Sequence, residues 1–159
     1  MNKATKTKIA GSALSFALLS GCVTGHIDPN DRDTTGAYDG VWVGEVSKPK
    51  AARVALPNNW VMHCNWESYE VYFVVDDGRV QLGKLETKTP VSTDGNFRID
   101  YDLGQANQIG GVMPGNGKDT AVYSGNFSGE NPRGKLLQLA EGTPSCSADI
   151  LLRRDDSNS

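Results

Sequence analysis

The side chains best suited to chemistry are few and widely spaced. The 159 residues include three cysteines, Cys22, Cys64 and Cys146, and two histidines, His26 and His63. A hydrolytic triad needs a nucleophile, a histidine and an orienting carboxylate within hydrogen-bond reach. Neither histidine offers that setting, because His26 lies in a polar segment and His63 abuts Cys64. Metal chemistry has little support, since no C-x-x-C occurs and His63 is the one histidine beyond that segment. Asp31-x-Asp33-x-Thr35-Gly36 has the oxygen spacing of the first half of a calcium loop, but its twelfth position is Trp42 where a bidentate Glu is needed. Gly117-Lys118 ends like a phosphate loop, yet Val112 stands where the leading glycine belongs and Asp119 replaces the Ser or Thr. Asp100 and Asp102 lie two apart on one strand face, where solvation accounts for them without an acid–base pair. The expectation is a protein that is not an enzyme and carries no cofactor.

Whatever site exists must be positioned by strands. Phe97, Ile99, Tyr101 and Leu103 alternate with Arg98, Asp100 and Asp102, the period-2 pattern of a sheet with one buried and one wet face. Tyr69, Val71, Phe73 and Val75 repeat it, and Asp77-Gly78 leads into Val80 and Leu82. An Asp-Gly pair between two such runs predicts a type I′ hairpin, because glycine tolerates the positive φ that this turn requires. Further strands are expected over 41–46, 121–127, 135–139 and 146–153, the last with Cys146, Ala148, Ile150 and Leu152 on one face. No stretch sustains helical periodicity, and glycines recur at strand-plus-turn intervals. The predicted fold is all-β, an antiparallel barrel or sandwich of about seven to eight strands. Two long stretches, 48–63 and 104–120, read as irregular. Loops of that length are commonly functional, which makes Trp60 and Met113 candidates for a binding surface, Trp as a contact anchor and Met as an adaptable one.

The N-terminus reads differently. Residues 1–8 carry Lys3, Lys6 and Lys8 with no acid, and 9–19 are apolar or small and uncharged. This is the charged-then-apolar order of an export signal, and a run of about 11 residues is short of the roughly 20 that span a bilayer as a helix. Leu19-Ser20-Gly21-Cys22 resembles the lipobox of bacterial lipoproteins. That resemblance implies removal of residues 1–21 and acylation of Cys22, whose thiol is the soft nucleophile available to form a thioether. Several acyl chains, at about 0.8 kcal/mol per buried methylene, make a long-lived anchor. With Val23 rather than Asp after the cysteine, the resemblance implies an outer-membrane address, facing the periplasm or the cell surface. Residues 22–37 are polar and read as a flexible tether, 38–154 as the β-domain and 155–159 as a disordered tail. Once Cys22 is lipidated, Cys64 and Cys146 form an even pair in an oxidising compartment, where a disulfide is expected. From Asp39-Gly40-Val41-Trp42-Val43-Gly44 through Cys64 and the Asp77-Gly78 and Asp94-Gly95 turns to Cys146, the domain is similar to small exported bacterial β-domains without assigned activity. That likeness supports the fold and carries no site residues.

The formal charge is −3, and losing three signal lysines takes the mature chain to about −6. Its remaining bases are scattered apart from Arg153-Arg154, so the basic patch that a nucleic acid needs is missing. The functional expectation is a binding module, anchored in the membrane through lipid and engaging a protein or glycan of the cell envelope. The alternative is a carrier that takes a small apolar ligand into the barrel interior.

Overall fold

The computed structural model describes residues 25–56, 59, 61–103 and 119–158. Ten strands are present among them: β1 (Gly40–Val46), β2 (Arg53–Ala55), β3 (Val61–His63), β4 (Tyr69–Asp76), β5 (Arg79–Leu82), β6 (Lys88–Pro90), β7 (Asn96–Asp102), β8 (Thr120–Asn126), β9 (Arg133–Ala140) and β10 (Thr143–Arg154). Eight form one antiparallel sheet in the order β6-β5-β4-β1-β10-β9-β8-β7, while β2 and β3 pair separately. The large sheet coils until its two edge strands meet, with Val91 bridging to Phe97, so the architecture is a nearly closed barrel. The seven strands expected from alternation all form. The three others have three residues each, too few for alternation to register. Residues 48–63 are therefore not wholly irregular: Arg53 pairs with His63, Val54 with Met62 and Ala55 with Val61.

Turn chemistry sets the register. Asp77 and Gly78 have φ of 50° and 61°, the two left-handed residues of a type I′ turn, and they place Asp76 opposite Arg79. A Cβ on Gly78 would stand 1.8 Å from the Asp33 carbonyl oxygen, so glycine is required there by space as well as by φ. Asp94-Gly95 works otherwise. The Gly95 amide donates to the Ser92 carbonyl at 2.8 Å and the Ser92 amide to the Asn96 carbonyl at 2.8 Å. This is a three-residue corner with glycine, at φ 83°, in the left-handed position. It turns β6 into β7 and so closes the barrel.

The inward faces fill the barrel. Phe73, Val75, Phe97, Ile99, Ala148, Ile150 and Leu152 are all buried in one core, as their alternation predicts. Phe97 stacks on Phe127 with ring centroids 4.4 Å apart, Trp42 lies 4.8 Å from Phe127, and Phe73 lies 5.2 Å from Phe97. Two inward glycines make room for these rings. A Cβ on Gly44 would meet the Phe73 ring at 2.8 Å, and one on Gly125 the Phe97 ring at 2.9 Å. Aromatic faces cover glycine backbone in this way where a β-branched residue would collide. At one end of the barrel, the Tyr123 hydroxyl bonds to that of Tyr69, and burial pushes both phenols up from their ordinary pKa.

The segment before β1 corrects the expectation of a flexible tether running to residue 37. From Asp28 onward it forms a strap across the opposite end of the barrel. Asp28 caps the short 3₁₀ turn Pro29–Asp31, Asp31 accepts from the Thr93 hydroxyl at 2.8 Å, and Arg32 pairs with Asp77 at 2.8 Å. The Asp33 amide donates to the Val91 carbonyl at 2.8 Å. Asp33 is buried, and its Oδ1 accepts from both the hydroxyl and the amide of Thr35, at 2.6 and 2.9 Å. Those bonds, the hydroxyl foremost, hold its carboxyl below the usual carboxylate value. A carboxyl depressed in the folded state contributes stability above its unfolded value of 3.8, and that contribution is lost as pH falls through the folded value. The melting temperature should therefore drop as the solution is acidified below about pH 4. The drop should be shallower in Asp33→Asn, as thermal melts across a pH series would measure.

Candidate functional site

Among the described residues, the outer wall formed by β4, β1 and β10 carries the exposed hydrophobics Tyr72, Val74 and Leu151. Its outward side chains follow from register: Val41 lies opposite Val74, Val43 between Tyr72 and Arg153, and Glu45 between Glu70 and Leu151. Outward positions on a half-wet sheet are ordinarily polar, yet Tyr72 is 48% exposed and Leu151 49%, with Val74 also exposed. Val43 faces the same way and is only 2% exposed. Arg153 reaches Glu70 at 3.0 Å, joining β10 to β4 over β1 and leaving Val43 between them. The result is an apolar stripe crossed by an ion pair.

Beside Leu151 the wall dips into a shallow groove of about 340 Å³, lined by Glu45, Ser47, Arg133, Lys135, Asp149 and Leu151. Asp149 pairs with Lys50 at 3.0 Å, and its amide donates to the Ser47 hydroxyl at 3.1 Å. Acids and bases alternate across the groove. Exposed pairs of this kind contribute about 0–1 kcal/mol each, so they shape recognition more than stability. Its lining combines carboxylates, basic side chains and the Ser47 hydroxyl.

The candidates from sequence fall in several places. Cys64 and Cys146 are joined in a disulfide, with Cα atoms 5.7 Å apart across a separation of 82 residues. Both are buried. Cys146 sits where the β9–β10 register shifts between Pro144 and Ser147, a bulge that re-aims its side chain toward the β2–β3 hairpin. Cys22, Trp60 and Met113 lie outside the described residues. His63 is exposed at the end of β3, opposite Arg53. Asp31 and Asp33, the start of the calcium-like spacing, use carboxylate oxygens to bind Thr93 and Thr35, and no group of three or more metal-ligating side chains occurs among the described residues.

Tyr72, Val74 and Leu151 were not among the residues singled out from sequence. Their signal is nonetheless present: Val71-Tyr72-Phe73-Val74-Val75 and Ile150-Leu151-Leu152 are unbroken apolar runs where alternation predicts polar residues at the second and fourth places. Such runs place apolar side chains on both faces of a strand whose neighbours leave one face to solvent. Set against known proteins, the chain matches no family model, no curated protein and no solved structure.

Proposed function

We propose that this chain is an exported lipoprotein, cut before Cys22 and lipidated there, whose barrel binds a protein of the cell envelope through the β4–β1–β10 wall. Three features support the reading. The first is the lipobox-like Leu19-Ser20-Gly21-Cys22 behind a charged and then apolar leader. The second is the Cys64–Cys146 disulfide, a bond that persists in oxidising compartments. The third, which carries the choice of binding over carrying, is the wall itself. The rings of Trp42, Phe73, Phe97 and Phe127 occupy the barrel axis, so apolar surface is offered outside rather than inside. A partly exposed apolar stripe with a charged rim has the anatomy of a protein interface. Glycan recognition favours flat aromatic platforms, and among the described residues the outward face of the wall presents a single exposed ring, Tyr72.

Site-specific photo-crosslinking in cells tests this reading. A crosslinker at Tyr72 should trap a discrete protein adduct, one at Arg98 on β7 should not, and Leu151→Asp should abolish the adduct. In binding assays with the trapped partner, Tyr72→Ser should cost about 2 kcal/mol, roughly 30-fold in affinity, and change the melting temperature little. An adduct resistant to protease would indicate a glycan instead, and adducts formed equally from Arg98 would contradict the assignment of the wall.

A further inference from the structure

We propose that the β7 wall is the membrane-facing side of the barrel, held at the headgroup layer of the bilayer that carries the Cys22 anchor. The inference rests on the lipidation reading above and adds an orientation to it. The strap is bonded at the β6–β7 corner through Asp31 to Thr93 and through the Arg32–Ser92 bridge. From there the chain descends beside β7, where the His26 Nε2 lies 3.7 Å from the Asp100 Oδ2. The described chain thus begins against the outer face of β7.

Four peptide steps separate His26 from Cys22, and at most about 3.6 Å per step gives a reach of about 14 Å. A lipid-fixed Cys22 therefore keeps Asp100 within a short distance of the bilayer surface. A tether running free to residue 37 would have reached about 54 Å and imposed no orientation. The strap removes that freedom.

Topology then decides what faces away. In the eight-strand order β7 holds the last place and β1 the fourth, so in a closed ring the two lie on opposite sides. With β7 toward lipid, the β4–β1–β10 wall with Tyr72, Val74 and Leu151 points outward, free to meet a partner. The chemistry of β7 suits headgroup contact without insertion. Its outward face is polar, with the Arg98–Asp100 ion pair at 2.8 Å beside exposed Asp102, and the large exposed hydrophobics among the described residues, Val61, Tyr69, Tyr72, Val74 and Leu151, all lie on other strands.

The experiment uses the full-length lipidated protein in phosphatidylethanolamine/phosphatidylglycerol vesicles that contain a headgroup-labelled quencher lipid. Fluorophores are placed by Ser124→Cys, on β8 beside β7, or by Val74→Cys on the far wall. Intact mass of each preparation reports whether Cys22 carries lipid. Lipidated protein should show several-fold stronger quenching at Ser124 than at Val74, and a flexible Gly/Ser insert of about 20 residues between Cys22 and His26 should remove the difference. Equal quenching in the lipidated parent, stronger quenching at Val74, or a difference that survives the insert would each overturn the orientation while leaving lipidation intact. Protein without lipid on Cys22 would overturn the lipidation reading and the orientation with it.

Discussion

Replacing Cys64 and Cys146 together by alanine is expected to lower stability by about 2–5 kcal/mol, visible as a fall in the denaturant midpoint. Two contributions add. The bond closes a loop across 82 residues, and the chain-entropy model assigns such a loop about 4–5 kcal/mol, with measured values commonly lower. It also fixes the β2–β3 hairpin against the barrel. Bonds beside it include the Lys50 amide to the Ser147 carbonyl at 2.9 Å, the Ser47 amide to the Asp149 carbonyl at 2.9 Å and the exposed Lys50–Asp149 ion pair at 3.0 Å. Without the staple, the hairpin should open at a free energy well below that of global unfolding. Limited proteolysis of the double variant should therefore cut first between residues 48 and 68, while the oxidised parent resists. A variant with an unchanged midpoint and cleavage pattern would show that packing alone seats the hairpin.

Phe97→Ala is expected to cost about 3–5 kcal/mol, because Phe97 is fully buried between Phe73 and Phe127 and covers Gly125. Phe73 is carried by β4, whose backbone is paired on both sides, which limits how far its ring can move into the space. The same variant separates a filled barrel from a carrier. Dry apolar cavities of engineered cores bind small aromatic molecules, so the variant should gain melting temperature in the presence of benzene or indole while the parent does not. A parent protein stabilised by small apolar ligands would restore the carrier reading and contradict the filled core.

The parts of the fold legible in sequence are those where one residue decides one backbone state or one face. Phe97 and Ile99 face inward as alternation predicts, and so do Ala148, Ile150 and Leu152, since a one-residue slip would turn every one of them to water. Asp77-Gly78 specified its turn because few pairs accept two positive φ values. Glu141-Gly142 makes the same kind of turn, with φ of 49° and 79°, yet glutamate is not a usual marker and the pair was legible only as punctuation. The strap was illegible for a different reason. Composition reports the polarity of 28–37, whereas its order comes from backbone bonds to Val91 and Thr93, partners some sixty residues away, while the buried Asp33 carboxylate closes a local turn on Thr35.

The candidate site was legible only in part. Cys64 and Cys146 announced themselves by number and by the oxidising compartment that the leader led us to expect, but the wall did not. Whether Val74 or Leu151 faces core or solvent depends on which strands flank β4 and β10, and strand order is not local information. The wall is an outer face that alternation alone reads as wet, while Trp60 and Met113 of the long loops lie outside the described residues.

Intact mass spectrometry of the protein purified from membranes of an expressing bacterium, with and without Cys22→Ser, tests the central claim most directly. The account predicts a mature chain that begins at Cys22 and carries thioether-linked diacylglycerol and an amide-linked acyl chain, and in Cys22→Ser an uncleaved, unlipidated precursor. A mature mass without lipid, or cleavage at another residue unaffected by Cys22→Ser, would contradict it.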